Sequence, residues 1–398
     1  MQKNIFLIIL FTLISFGSYA QEVGDILNIL VDKELITSEY ADSLIRAGKQ
    51  KKQPDAIRKL KSAFISEAFQ LYGYAQVIYN LTENTDRGFI RTSTHNSIDI
   101  ARAIIFANGK LGAKNQFGYQ LMFDFGSNAM MHEIYGEWTP IPAINLRFGQ
   151  YKIPFSMENP ISPTNIETVY FTRSISAMSG SAGDFNQYNP AGAMTGVKVG
   201  RDAGFQLSGR LIPRRDYYLI EYYTGLFNGT GMNVKDNNNH KDFIATAYVQ
   251  PVKGLKVGGS VYSGKLFGQH PSILGSPQMT PEAPANHVRN HWAAGFEYNA
   301  KNIYARSEFS HANDGGLLRD GAYGTVMWKI VPGKWEILGK YDYYEPNKDL
   351  TDNEITDITA GINFYFAPFN RLQLNYIYTD DKAAGTNNML AAQLQLFF

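Results

Sequence analysis

The sequence predicts an all-β protein, a 16-stranded antiparallel transmembrane β-barrel with a short N-terminal helical segment. Three observations predict it. The 398-residue chain opens like an exported protein and contains no cysteine. From Glu67 to Phe398, apolar and polar residues alternate with period two. The connections between the alternating runs sort by parity into short and long.

The opening MQKNIFLIILFTLISFGSYAQ has Lys3, an apolar run from Ile5 to Phe16, and the small residues Gly17-Ser18-Tyr19-Ala20 before Gln21. This is the pattern of a secretory leader, residues 1–20, cut near Ala20/Gln21. The run is roughly 12 residues, short of the ~20 that span a bilayer. The expected destination is the outer membrane of a Gram-negative cell. Zero cysteines exclude a disulfide scaffold and thiolate metal sites. A formal net charge of +1 gives no global field toward nucleic acid, and no nucleic-acid partner is expected. Aromatic content is 14 %, with 25 Tyr and 25 Phe, which suits a lipid-facing barrel.

Residues 21–63 are expected to form a periplasmic helical segment. Ile26, Ile29 and Leu30 share one helical face, and Thr37 can cap a second helix carrying Tyr40, Ala41, Leu44 and Ile45. The basic run from Lys49 to Lys61 is explained as a polar surface. The barrel follows over 64–398. Its expected strands are 67–81, 96–110, 116–126, 131–139, 144–153, 201–212, 217–228, 240–250, 253–264, 287–299, 302–312, 321–331, 334–344, 354–366, 370–380 and 387–398. In 116–126, Phe117, Tyr119, Leu121, Phe123 and Phe125 oppose Gly118, Gln120, Met122 and Asp124. The last strand sets Leu390, Ala392, Leu394, Leu396 and Phe398 against Ala391, Gln393, Gln395 and Phe397. Such strands put one face to lipid and one to water.

Short connections carry turn residues, as in Thr139-Pro140-Ile141-Pro142, Val331-Pro332-Gly333-Lys334 and Ala367-Pro368-Phe369-Asn370. The longer ones, 82–95, 229–239, 265–286 and 345–353, are polar. A soluble sandwich has no reason to sort its loops this way, whereas a barrel has short periplasmic turns and longer outer loops. One connection, residues 154–200, is far longer than the rest. A closed sheet of this size leaves a water-filled lumen. The mixture of Tyr170, Phe171, Phe185 and Tyr188 with Arg173, Glu158, Glu167 and Asp184 suits a loop folded into the pore and packed on its wall. Met194–Gly200 is a possible further strand piece inside it.

At these residues a resemblance appears. LRFGQYKIPF, Leu146–Phe155, followed by Phe171-Thr172-Arg173-Ser174, resembles the signature of the phosphate-selective porin O and P family. Ser97–Leu111, Gly200–Gly209, Leu226–Gly231 and the helical lead-in Ile26–Leu44 are similar to further family segments. The resemblance covers most of the mature chain and is sharpest in its first half. It implies a sixteen-stranded outer-membrane porin, commonly a homotrimer, that passes small anions or other small hydrophilic solutes by diffusion. No catalysis and no cofactor are expected. An outer-membrane barrel enzyme and a soluble exported β-sandwich binding protein are the alternative readings.

The long connection departs from the arginine-rich eyelet of phosphate-selective members. The pore or ion-binding candidates are Lys152, Arg173, Lys198, Arg201, Arg210, Lys256, Arg306 and Lys340. Wall parity also faces Lys329 and Arg371 inward, against Asp124, Glu221, Glu297, Glu308, Asp342 and Asp357. The two signs nearly balance, so a general porin with mild preference is expected, with outer-membrane lipid around it. A one-residue register slip would reverse each assignment. His287 and His291 are better read as rim residues than metal ligands, and Ser307 with His311 lacks any oxyanion site. Trp138, Trp292, Trp328, Trp335, Tyr343 and Tyr376 are read as interfacial girdles.

Overall fold

A computed structural model describes residues 65–66, 68–83, 95–112, 114–126, 129–179, 200–268 and 285–398. The expected leader, the helical segment, the strand piece 194–200 except Gly200, and Lys198 lie outside the described residues. The strands are β1 (Phe69–Thr82), β2 (Asn96–Leu111), β3 (Phe117–Asp124), β4 (Met130–Ile141), β5 (Ile144–Lys152), β6 (Arg201–Pro213), β7 (Tyr218–Phe227) and β8 (Asp242–Val252). They continue as β9 (Leu255–Gly268), β10 (Ala285–Asn299), β11 (Ile303–Asp314), β12 (Leu317–Val331), β13 (Trp335–Glu345), β14 (Ile355–Ala367), β15 (Asn370–Asp381) and β16 (Gly385–Phe397). A two-residue strand, Ile65–Ser66, precedes them, and a six-residue helix α1, Arg173–Met178, lies between β5 and β6.

Each strand pairs antiparallel with its sequence neighbours, and β16 returns to β1. The closing register runs from Phe397↔Tyr74 to Met389↔Thr82. Gly73 and Phe398 add a reciprocal pair of backbone hydrogen bonds at 2.9 Å. Closure leaves no sheet edge, as hydrocarbon demands. Among the described residues no helix is long and apolar enough to cross a membrane.

Alternation on the walls follows directly from the sequence. In β15, Leu372, Leu374 and Tyr376 face outward while Arg371, Gln373 and Asn375 face in. Exposed apolar side chains such as Phe148, Val326 and Ile358 spread around the outside. Such a surface would aggregate in water and is stable in lipid.

Three features differ from the expectation. First, β12 begins at Leu317, and the turn before it is only Gly315-Gly316, both at positive φ. Outer connections are therefore not uniformly long, because two glycines can reverse the chain where other residues need more length. Second, the Trp girdle is one-sided. Trp138, Trp328 and Trp335 lie near the short turns with Phe117 and Phe364, whereas Trp292 sits mid-strand opposite Val261. Third, parity breaks where an extra residue enters a strand. Gln76 pairs with Arg102 and Val77 with Ile100, so Ala101 is unpaired and the facing of β2 flips there. Ile98 and Ile100 point out before it; Arg102 and Ile104 point in after it.

Candidate functional site

The long connection folds back into the barrel. β5 stops at Lys152 because Pro154 has no N–H for the ladder. The neck is closed by Ile153 N–H donating to Gly200 O at 3.0 Å. The Asn159 amide donates to Ile153 O at 2.9 Å and Gly200 O at 3.1 Å. Gly200 has φ 67, and a Cβ there would run into Asn159.

Beyond the neck, irregular backbone lies at membrane depth, where unpaired polar groups are costly. Inward wall residues satisfy it. Ser156 N–H donates to Ser260 Oγ at 2.8 Å, and Met157 N–H to Glu308 Oε1 at 2.8 Å. Asn363 and Gln373 each donate to Glu167 O at 3.0 Å, and Val169 N–H donates to Asn375 Oδ1 at 2.8 Å. Gln76 and Gln395 reach the carbonyls of Pro163 and Thr164, while Tyr170 Oη donates to Asn80 at 2.8 Å. The segment is thus moored to strands from β8 around to β1.

A buried ionic seam reinforces this mooring. Arg306 is 1 % exposed and donates to Glu167 Oε2 at 2.8 Å and Glu158 Oε1 at 3.3 Å. Glu158 also accepts Thr172 N–H and Oγ1–H, each at 2.9 Å. Arg173 forks onto Asp357 at 2.6 and 2.9 Å, and its N–H donates to Asp342 at 2.9 Å. Lys340 stands 3.8 Å from Glu158 and 3.9 Å from Asp342. Toward the loop end, side chains fill the lumen among the described residues. Phe155, Ala177 and Met178 pack with Tyr151, Phe227, Ile244, Tyr262 and Tyr344. The expected water-filled lumen is therefore only partly realised, since apolar loop residues gain more from burial than from wetting.

Among the described residues, a cavity of about 400 Å³ stays open beneath residues 154–161, on the side of the short turns. Glu133, Arg147, Lys152, Glu221, Lys256 and Glu297 supply its charges, with Tyr151, Tyr223 and Tyr248 between them. Lys256 pairs with Glu221 at 2.9 Å, and Arg147 with Glu137 at 2.7 Å. The Arg147 guanidinium lies 4.2 Å over the Tyr135 ring. Lys152 Nζ donates to Asn159 O at 2.7 Å and Ile161 O at 2.5 Å. Arg201 pairs with Glu133 at 2.7 Å, and Arg102 donates to Gln76 Oε1 at 2.8 Å. Lys152, Arg201 and Arg102 lie close enough to feel one another's charge, together with the carboxylates Glu133, Glu158 and Asp124.

The candidates from the sequence therefore fall into groups. Lys152 and Lys256 border the cavity, and Arg201 stands beside it. Arg173, Arg306 and Lys340 are spent on the seam. Arg210 is exposed near a short turn, its guanidinium 4.8 Å over Tyr218. Arg147 and Arg102 are additions. Arg147 shares the inward parity of Tyr151, which was a usable signal; Arg102 was hidden by the bulge. The wall amides Gln76, Asn363, Gln373, Asn375 and Gln395 were also missed. Their signal was the run of Asn and Gln at inward positions, where attention to charge passes over them. Of the two histidines weighed for metal, His291 is buried against Asp314 at 2.9 Å and 5.9 Å from the Phe155 ring. Ser307 and His311 share the outer face.

Residues 283–398 match the family model of the phosphate-selective porins O and P. The match covers less than a third of the chain. The match lies in the second half, not on Leu146–Phe155, where the resemblance read from the sequence was sharpest. Among solved structures, the chain is similar to an anion-selective porin from Comamonas acidovorans, with 10 % identity, TM-score 0.58, and 83 % of this chain and 99 % of that one covered. It is also similar to OprB of Pseudomonas putida, at 10 % identity, TM-score 0.59, and coverage of 86 % and 97 %. A third is OmpF of Salmonella typhi in complex with daunomycin, at 13 % identity, TM-score 0.59, and coverage of 83 % and 97 %. At these identities the likeness is one of fold. No curated protein matches the sequence.

Proposed function

We propose that the protein is an outer-membrane porin that lets small hydrophilic solutes and ions diffuse past an inserted loop. The observation that carries this is the loop itself. Residues 153–179 cross the lumen, satisfy their polar groups on the wall, and leave a polar, charge-lined cavity beside them. A barrel filled for stability alone has no reason to leave a charge-lined cavity open. The family match and the porin-like fold support the same reading. Passage is governed by the width left by the loop and by the side chains along it. Lys152, Arg102 and Arg201 are matched by Glu133, Glu158 and Asp124, so the preference for anions such as phosphate is at most mild, and salt screens it further over ~8–10 Å. The protein acts as a homotrimer without a cofactor and without catalysis.

Reconstitution in planar bilayers tests it. Discrete conductance steps are expected, with a reversal potential in a KCl gradient displaced modestly toward chloride. Bilayers that stay silent with folded protein present refute the reading.

A further inference from the structure

We propose that the cavity beneath residues 154–161 is a binding subsite for a neutral polyhydroxylated solute, of the size of a mono- or disaccharide. This rests on the porin reading and names a solute class for it. The cavity volume of about 400 Å³ falls in the ordinary range for small-molecule sites. The charges lining it balance, with Arg147, Lys152 and Lys256 against Glu133, Glu221 and Glu297. Lys256 meets Glu221 at 2.9 Å, Arg147 meets Glu137 at 2.7 Å, and Glu297 accepts the Tyr304 hydroxyl at 2.9 Å. A site for a free anion needs an excess of cations, and one for a cation needs an excess of carboxylates. Compensated pairs keep spare donors on Lys256 and Arg147 and spare acceptor lone pairs on the carboxylates. That combination suits hydroxyl groups, each of which both donates and accepts. The rings of Tyr223 and Tyr248 border the same space and offer apolar faces to the C–H side of a sugar ring.

A second observation points to a ligand. Tyr151 borders the cavity, is 1 % exposed, and its hydroxyl has no hydrogen-bond partner among the described residues. A buried tyrosine hydroxyl normally has one. The hydroxyl is closed off from the cavity as the ring stands, and a turn of the ring toward a bound sugar would give it a partner.

The test is single-channel current through the full-length protein in symmetric KCl, titrated with maltose. A saturable fall in conductance is expected. Tyr223→Ala raises the half-blocking concentration by about tenfold. Tyr222→Ala, on the outer face one residue away, leaves it unchanged. Glu221→Gln, nearly isosteric and a check should Tyr223→Ala not assemble, frees the Lys256 charge. It weakens maltose block severalfold and introduces block by inorganic phosphate. Normal conductance steps with no saturable maltose effect overturn the subsite and leave the porin standing. Wild-type block by phosphate or by zwitterionic glycine, stronger than by maltose, also overturns it. Silent bilayers overturn both readings.

Discussion

Replacing Arg306 with methionine should release the inserted loop without opening the barrel. The guanidinium donates to Glu167 at 2.8 and 3.3 Å, to Glu158 at 3.3 Å, to Tyr304 at 2.6 Å and to Tyr323 at 3.0 Å. Methionine fills much of the same volume but leaves two carboxylates buried. Glu158 retains Lys340 at 3.8 Å. Glu167 retains no cation among the described residues. Breaking a buried pair in this way costs about 3–5 kcal/mol. At about 1.4 kcal/mol per decade, the ratio of docked to undocked loop falls by a factor on the order of 10²–10⁴. The strand ladders do not depend on Arg306, so the penalty falls on loop docking. Two assays read this. Single-channel conductance should rise as the lumen widens, and residues 153–179 should become open to protease while the barrel stays folded. Adding Glu167→Gln removes the stranded charge and should return part of the docking. Wild-type conductance together with wild-type protease resistance in Arg306→Met would refute the mooring role of the seam.

Other expectations follow from the same geometry. Arg173→Glu sets a third carboxylate against Asp342 and Asp357, so its main effect should be a larger, noisier conductance rather than a clean reversal of selectivity. A quiet channel of wild-type size with inverted selectivity would place Arg173 in the open pore instead. Lys152→Glu removes one of three cations beside Glu133 and should move the permeability ratio toward cations; an unchanged reversal potential would exclude Lys152 from the path. Gly149 stands at φ 135, and a Cβ there would meet the Ile134 carbonyl, so Gly149→Ala should lower the yield of folded barrel by a strain of about 1–3 kcal/mol, read as loss of the compact, heat-modifiable band on gels. Val261→Arg, on the outer face near mid-strand, should destabilise insertion by about 2–4 kcal/mol in urea titrations in liposomes, whereas a change near zero would mean that this face does not meet hydrocarbon.

All sixteen expected strands are present, and most of their ends agree within a few residues. They were legible because side-chain facing in a strand is a local, two-residue repeat written along the chain. Lys256, Glu221, Glu297 and Arg147 could be placed on the inner wall by that repeat. It failed where one extra residue shifts the phase. Ala101 hides Arg102, and the shift between Met122 and Phe123 puts His132 and Glu133 side by side in the lumen. Nothing local marks either place, since a bulge is defined only by the partner strand.

By itself the sequence determined the barrel: strand number, facing, the order of turns, and the existence of one connection too long to be a turn. Each of these depends on residues near one another in the chain. The tertiary structure alone decided what that connection does. Whether Arg173 and Arg306 meet a passing ion or hold the loop depends on Asp357, Glu158 and Glu167, as many as 184 residues away in sequence. The same cation is a pore contact when water surrounds it and a mooring when a carboxylate is buried against it, and only the folded lumen sets which applies.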